Sequence, residues 1–128
     1  MAASYSTALR DARQNAITTA IGTAGKLVIK TASGGTTLVT FTWGAVDMFG
    51  ASVTGVITMV SPAAPTVVGV AAGTATYAEL QTSASVVVVS NLTVGTTATD
   101  VIITNTNIAV NDPITLTFAS CTMTSGNI

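Results

Sequence analysis

The chain has no histidine and only one cysteine, Cys121, in 128 residues. Histidine is the commonest general base and metal ligand, so its absence excludes Ser-His and Cys-His nucleophiles within one chain. One thiolate with scattered carboxylates makes a poor zinc site, and a lone cysteine gives no intrachain disulfide framework. We therefore predict a non-enzymatic protein with no catalytic residue, metal or cofactor.

Charged residues are almost as scarce. They make up 7% of the chain, with a net charge of −1, whereas an ordinary soluble domain has about 25% charged residues. Such a surface is weakly protected against association, which indicates a surface that neighbouring molecules cover.

Long apolar runs are also missing. Gly, Thr or Ser interrupts every apolar stretch well short of the ~20 residues of a membrane helix. Residues 1–21 contain charges and no continuous apolar core, unlike a signal peptide. We expect synthesis in the cytoplasm and no membrane partner.

The few cations are unevenly distributed. Residues 1–30 carry a net charge of +3, and residues 31–128 carry −4. This polarity allows head-to-tail contacts between subunits, but we favour the simpler explanation of a solvated helix face and a strand edge with lysines. No dense basic stripe is present, so we predict no nucleic-acid partner.

Stiff and hydroxyl-bearing side chains dominate what is there: 25 Thr, 16 Val, 10 Ser and 9 Ile. β-branched residues favour sheets. Short strands separated by turn signals predict a mainly β protein, a single β-sandwich or jelly-roll-like domain of about 7–8 strands with one N-terminal α-helix. We place the arm and helix at residues 1–24 and the β-sandwich at residues 25–128.

The helix is predicted over residues 6–21, with Ser4 or Ser6 as the N-cap and Gly22 as the stop. Apolar residues recur there at spacings of three and four. The predicted apolar stripe comprises Leu9, Ala12, Ala16, Ala20, Ile17 and Ile21.

A period of two begins at residue 25. Residues 26–31 and 36–43 predict a hairpin around Gly34-Gly35, with Val39, Phe41 and Trp43 facing the core. Further strands are predicted at residues 52–60, 67–71, 74–80, 101–104 and 114–118. Four consecutive valines in residues 84–90 predict a strand covered on both faces, by the opposing sheet on one side and by the helix or a neighbouring molecule on the other.

Five acids, at positions 11, 47, 79, 100 and 112, are distant in sequence. A glycosidase-type carboxylate pair therefore remains an alternative that only folding can create. In turns and at strand edges, however, acids ordinarily serve solvation or hydrogen-bond a turn. The glycines lack the spacing of phosphate-binding loops and are interpreted as turn residues.

The chain as a whole resembles small virion structural proteins of tailed bacteriophages, especially the capsid decoration or cement type. The segments that carry the resemblance are STALRDARQNAITTAIGTAGKLVIKT, GTATYAEL, TVGT, DVIITNTNIAVNDPITLTFAS and TSGN. Such proteins typically form a compact β-sandwich or jelly roll, lie on the head exterior as dimers or trimers, and bridge major capsid subunits.

The resemblance implies a decoration protein on the capsid exterior, synthesised in the host cytoplasm, that binds and stabilises the major capsid protein lattice as a homo-oligomer. Alternatives are another small virion component (collar, tail or fibre-associated binding module), a carboxylate-pair enzyme, and an exported pilus or surface-layer subunit. The family supplies no residue-level motif. From charge and apolar character, the candidate assembly interface comprises Tyr5, Leu9, Arg10, Arg13, Lys26 and Lys30.

Overall fold

The structure is a computed structural model that describes residues 6–51, 53, 56–60, 62, 64–97, 99, 101–116 and 122–124. One helix is followed by short strands in these ranges. The elements are α1 (Thr7–Ile21), β1 (Lys26–Lys30), β2 (Thr37–Thr42), β3 (Val56–Thr58), β4 (Thr66–Val68), β5 (Gly73–Thr74), β6 (Tyr77–Gln81), β7 (Val87–Gly95), β8 (Val101–Ile102), β9 (Asn107–Ile108), β10 (Pro113–Thr115) and β11 (Thr122–Thr124).

The predicted mainly β class with one N-terminal helix is confirmed. A curled five-stranded sheet in the order β2-β1-β6-β7-β8 is accompanied by the two-stranded sheets β10-β4, β11-β3 and β5-β9. The strands are shorter and more numerous than expected. Residues 74–80, for example, are split between β5 and β6. The division at residue 24 stays a prediction.

The predicted hairpin is confirmed as β1 and β2. Gly34 has a φ of 71°, which favours glycine. Pairing in register aligns large apolar side chains in rows on one face: Leu27 lies opposite Phe41 and Leu80, and Ile29 lies opposite Val39 and Ala78. All six are completely buried, so these rows form the sheet's side of the core.

The helix begins and ends as predicted but presents a different face to the core. Ser6 caps its start by accepting from the Leu9 N–H at 3.2 Å, and Gly22 follows its end with a φ of 71°. Gln14 and Ile21 are buried, and Ile17 packs against the core.

Part of the predicted helix stripe was therefore wrong. Its outward residues are Leu9, Ala12, Ala16 and Ala20. An alanine methyl gains little from burial, so the longer side chains at positions 14, 17 and 21 determine which face meets the core.

The described residues cover the valine run only in part, and its cover by a neighbouring molecule stays a prediction. Val86 and Val87 are 60% and 47% exposed, whereas Val88 and Val89 are half-buried against the core. β7 pairs with β6 on one side, while β8 joins it only near Val94 and Gly95.

Large side chains fill the rest of the core. Met48, Phe49 and Trp43 are all buried. The Trp43 indole Nε1–H donates to the Val60 carbonyl oxygen at 2.9 Å. Its single polar group is thus satisfied, and Trp43 is a core residue rather than an interface anchor.

Candidate functional site

Polar side chains gather on the face of the central sheet opposite the core, called here the outer face. Strand pairing places Lys26 beside Gln81, Val28 beside Glu79, and Lys30 beside Tyr77. On the other side of β1, Val28 lies opposite Thr40. Alternation along the strands therefore collects two of the four cations, one acid and several hydroxyl groups on one face.

Glu79 is the centre of this face and is 5% exposed. Its Oε1 lies 2.9 Å from Lys30 Nζ and accepts from Gln81 Nε2 at 2.7 Å. Its Oε2 accepts from the Tyr77 hydroxyl at 3.1 Å. Tyr77, Glu79 and Gln81 alternate along β6 and so share a face, while Lys30 reaches across from β1.

These contacts decide the ionisation of Glu79. Burial by itself would raise its pKa, but hydrogen bonds from Lys30, Gln81 and Tyr77, with the positive charge of Lys30, hold the pKa below its ordinary value. Both oxygens are occupied and the carboxylate is ionised near neutral pH. Such a group is a weak proton donor and a weak base, so the arrangement favours a structural role.

Beside Glu79 the outer face contains a cavity of about 290 Å³. We call it the lysine pocket. Its lining residues are Lys26, Val28, Lys30, Thr37, Thr40, Gln81 and Ser85. The Lys26 ammonium group donates to Ser85 Oγ at 2.9 Å. Val28 is 5% exposed and supplies an apolar surface between the two lysines.

The structure divides the candidate assembly interface. Lys26 and Lys30 come together in the lysine pocket. Leu9, 45% exposed, and the half-buried Arg10 and Arg13 lie on α1 instead, which packs on β3 and β7. Tyr5 lies outside the described residues. Two separate surfaces therefore carry the predicted residues.

The sequence did not predict that Glu79, Gln81 and Tyr77 form a hydrogen-bonded group on the outer face. The signal was available in part, because residues two apart on a strand share a face. Their contact with Lys30 depends on the pairing of β1 with β6, and these two strands are separated by more than 40 residues in the sequence. Local patterns do not specify that pairing.

A second surface is apolar. Val68, Val70 and Val110 are 50%, 64% and 56% exposed. The Gly69 N–H donates to the Asp112 carbonyl oxygen at 2.9 Å, and the Asn111 N–H donates to the Gly69 carbonyl oxygen at 2.8 Å. These bonds bring the two valine-bearing segments together. We call the three side chains the valine patch.

Within the described ranges, no cluster of three or more Cys, Asp or Glu side chains has the proximity that a metal site needs. The helix of those ranges is too short and too polar to cross a bilayer. Comparison of the chain with protein-family models, curated proteins and solved structures finds no match.

Proposed function

We propose that the chain is a non-enzymatic structural subunit that acts by covering another protein surface, specifically as a decoration or cement protein on a bacteriophage capsid. The observation that carries the proposal is the valine patch. Three valines that are at least half exposed, in a chain with 7% charged residues, form a surface that gains from being covered. The valine patch supports a covering role in general, and the sequence resemblance supports the phage capsid as the place where the chain acts.

The outward face of α1 supports the same proposal. Leu9, Ala12, Ala16 and Ala20 are exposed along one side of the helix. Small side chains permit close approach of a neighbouring backbone, and Leu9 supplies apolar area. A subunit in a lattice uses several such modest contacts at once, and repetition makes the whole binding strong.

Mass spectrometry of purified phage particles tests the proposal. A decoration protein is expected at a copy number comparable to that of the major capsid protein and should be removable without opening the head. A chain found only in infected-cell lysate, and absent from particles, would contradict the proposal.

The alternative of a fibre-associated sugar-binding module has weaker support. A sugar site needs an accessible aromatic surface beside carboxylates or amides. Tyr77 stands beside Glu79 and Gln81, but it is 9% exposed and its hydroxyl is bound to Glu79. A low copy number confined to tail fibres would favour this alternative over the capsid role.

A further inference from the structure

The lysine pocket has the size and shape of a small recognition site. Its volume of about 290 Å³ lies close to the lower bound of roughly 300 Å³ for ligand pockets. Six of its seven lining residues lie on β1, β2 and β6, which pair within the central sheet, and Ser85 lies in the segment between β6 and β7. A site built on strands holds its geometry better than one built on loops.

The two lysines of the pocket differ in their electrostatic partners. The charge of Lys30 is balanced by Glu79, whose Oε1 lies 2.9 Å away. Lys26 donates to a neutral hydroxyl oxygen, that of Ser85. Of the described carboxylates, none is paired with Lys26. The two lysines and the ionised Glu79 have a net charge of +1, and the charge that is not balanced is that of Lys26.

The remaining lining specifies what balances that charge. Hydroxyl groups of Thr37, Thr40 and Ser85 offer hydrogen bonds, and Val28 offers an apolar surface. A carboxylate on a short aliphatic stem satisfies both kinds of contact. A phosphate dianion brings one negative charge too many beside the ionised Glu79, and nucleic acid needs more cations than this face has.

We infer that the lysine pocket receives one glutamate or aspartate side chain from the protein that this chain covers, with Lys26 as its ion-pair partner. That the partner is a protein rests on the proposed function. The ion pair would fix the orientation of the two proteins, in addition to the apolar contacts of the valine patch. Charged contacts of this kind contribute specificity and orientation more than affinity.

The test is a nuclear magnetic resonance titration of the full chain, labelled with ¹⁵N, using a short blocked peptide that contains one glutamate. Amide signals of β1 and β6 are expected to shift. The matched peptide with glutamine should bind at least about fivefold more weakly, because hydrogen bonds to charged groups are roughly twice as strong as neutral ones.

Two variants locate the effect. Lys26→Met is expected to weaken glutamate-peptide binding at least about fivefold while leaving amide signals outside the pocket unchanged, which shows that the fold persists. The control Thr19→Lys/Lys26→Met restores net charge on an exposed position of α1. It should bind as weakly as Lys26→Met.

Equal binding of both peptides, full binding by Lys26→Met, or recovery in the control would overturn the inference. Tighter binding of inorganic phosphate than of the glutamate peptide would also overturn it and assign the pocket to a small anion. None of these measurements uses phage particles, so a failure here is distinct from a failure of the capsid proposal.

Discussion

Glu79 stabilises the outer face because its two carboxylate oxygens accept from three side chains on two strands. Replacement by glutamine removes the charge that pairs with Lys30, 2.9 Å away, and replaces one acceptor oxygen with a donor. We expect Glu79→Gln to lower the free energy of unfolding at pH 7 by about 1–2 kcal/mol. Urea denaturation followed by circular dichroism measures this change.

The same residue predicts a pH dependence. Its pKa is lowered in the folded state from the ordinary value of 4.5, so the unfolded chain takes up its proton first as pH falls. The stabilisation is therefore complete above pH 4.5 and is lost as pH falls through the lower folded-state pKa. The difference between wild type and Glu79→Gln should shrink over that range; a difference that grows on acidification would contradict this account.

The sequence identified only some of the residues that surround Glu79. Lys26 and Lys30 were both placed in the candidate assembly interface, and their common face follows from strand alternation. Their acid was not recognised because it comes from β6. A non-local pairing depends on the topology of the whole sheet.

At the scale of elements, α1 shows what periodicity determines and what it leaves open. Cap residues and apolar spacing predicted its ends correctly, since both are local. The face was partly wrong because the apolar set spans half of the helix circumference. Tertiary packing then selects the side with the longer chains.

A matched pair of variants tests that orientation. Ile17→Ala should lower the free energy of unfolding by about 1–3 kcal/mol, because Ile17 packs against the core. Ala16→Gln, one residue away on the exposed face, should change it by less than about 0.5 kcal/mol. Equal costs in thermal or urea unfolding would show that the helix packs through another face.

The valine run of β7 is tested similarly. Val89→Thr places a hydroxyl at a half-buried position packed against the core and should cost about 1 kcal/mol of unfolding free energy. Val87→Thr, on the same strand but 47% exposed, should cost less than about 0.5 kcal/mol. Urea unfolding of both proteins checks the prediction. A larger cost at position 87 would mean that residues outside the described ranges, or a second copy, cover it.

At the scale of the whole molecule, the scarcity of charge and the exposed valines have one consequence: the chain should be more stable when covered. Val68→Thr/Val70→Thr/Val110→Thr keeps β-branched side chains while making the valine patch polar. We expect little change in unfolding of the isolated protein, because all three positions are exposed. Its binding to phage heads should fall by at least about tenfold, a cost of about 1.4 kcal/mol.

A co-sedimentation assay with heads stripped of this protein measures that binding. The matched control is Val86→Thr/Val87→Thr, which removes exposed apolar area at the start of β7 and leaves the valine patch intact. Equal loss of binding in both variants would show that general stickiness, rather than the valine patch, drives association.

Electron cryomicroscopy of the native particle tests the central claim most directly, namely that this chain works by covering another protein. The account predicts density for the fold on the outer surface of the head, in repeated copies between major capsid subunits, with the valine patch buried against a neighbour. Particles that lack the chain, or contain it with the valine patch facing solvent in every copy, would contradict the account.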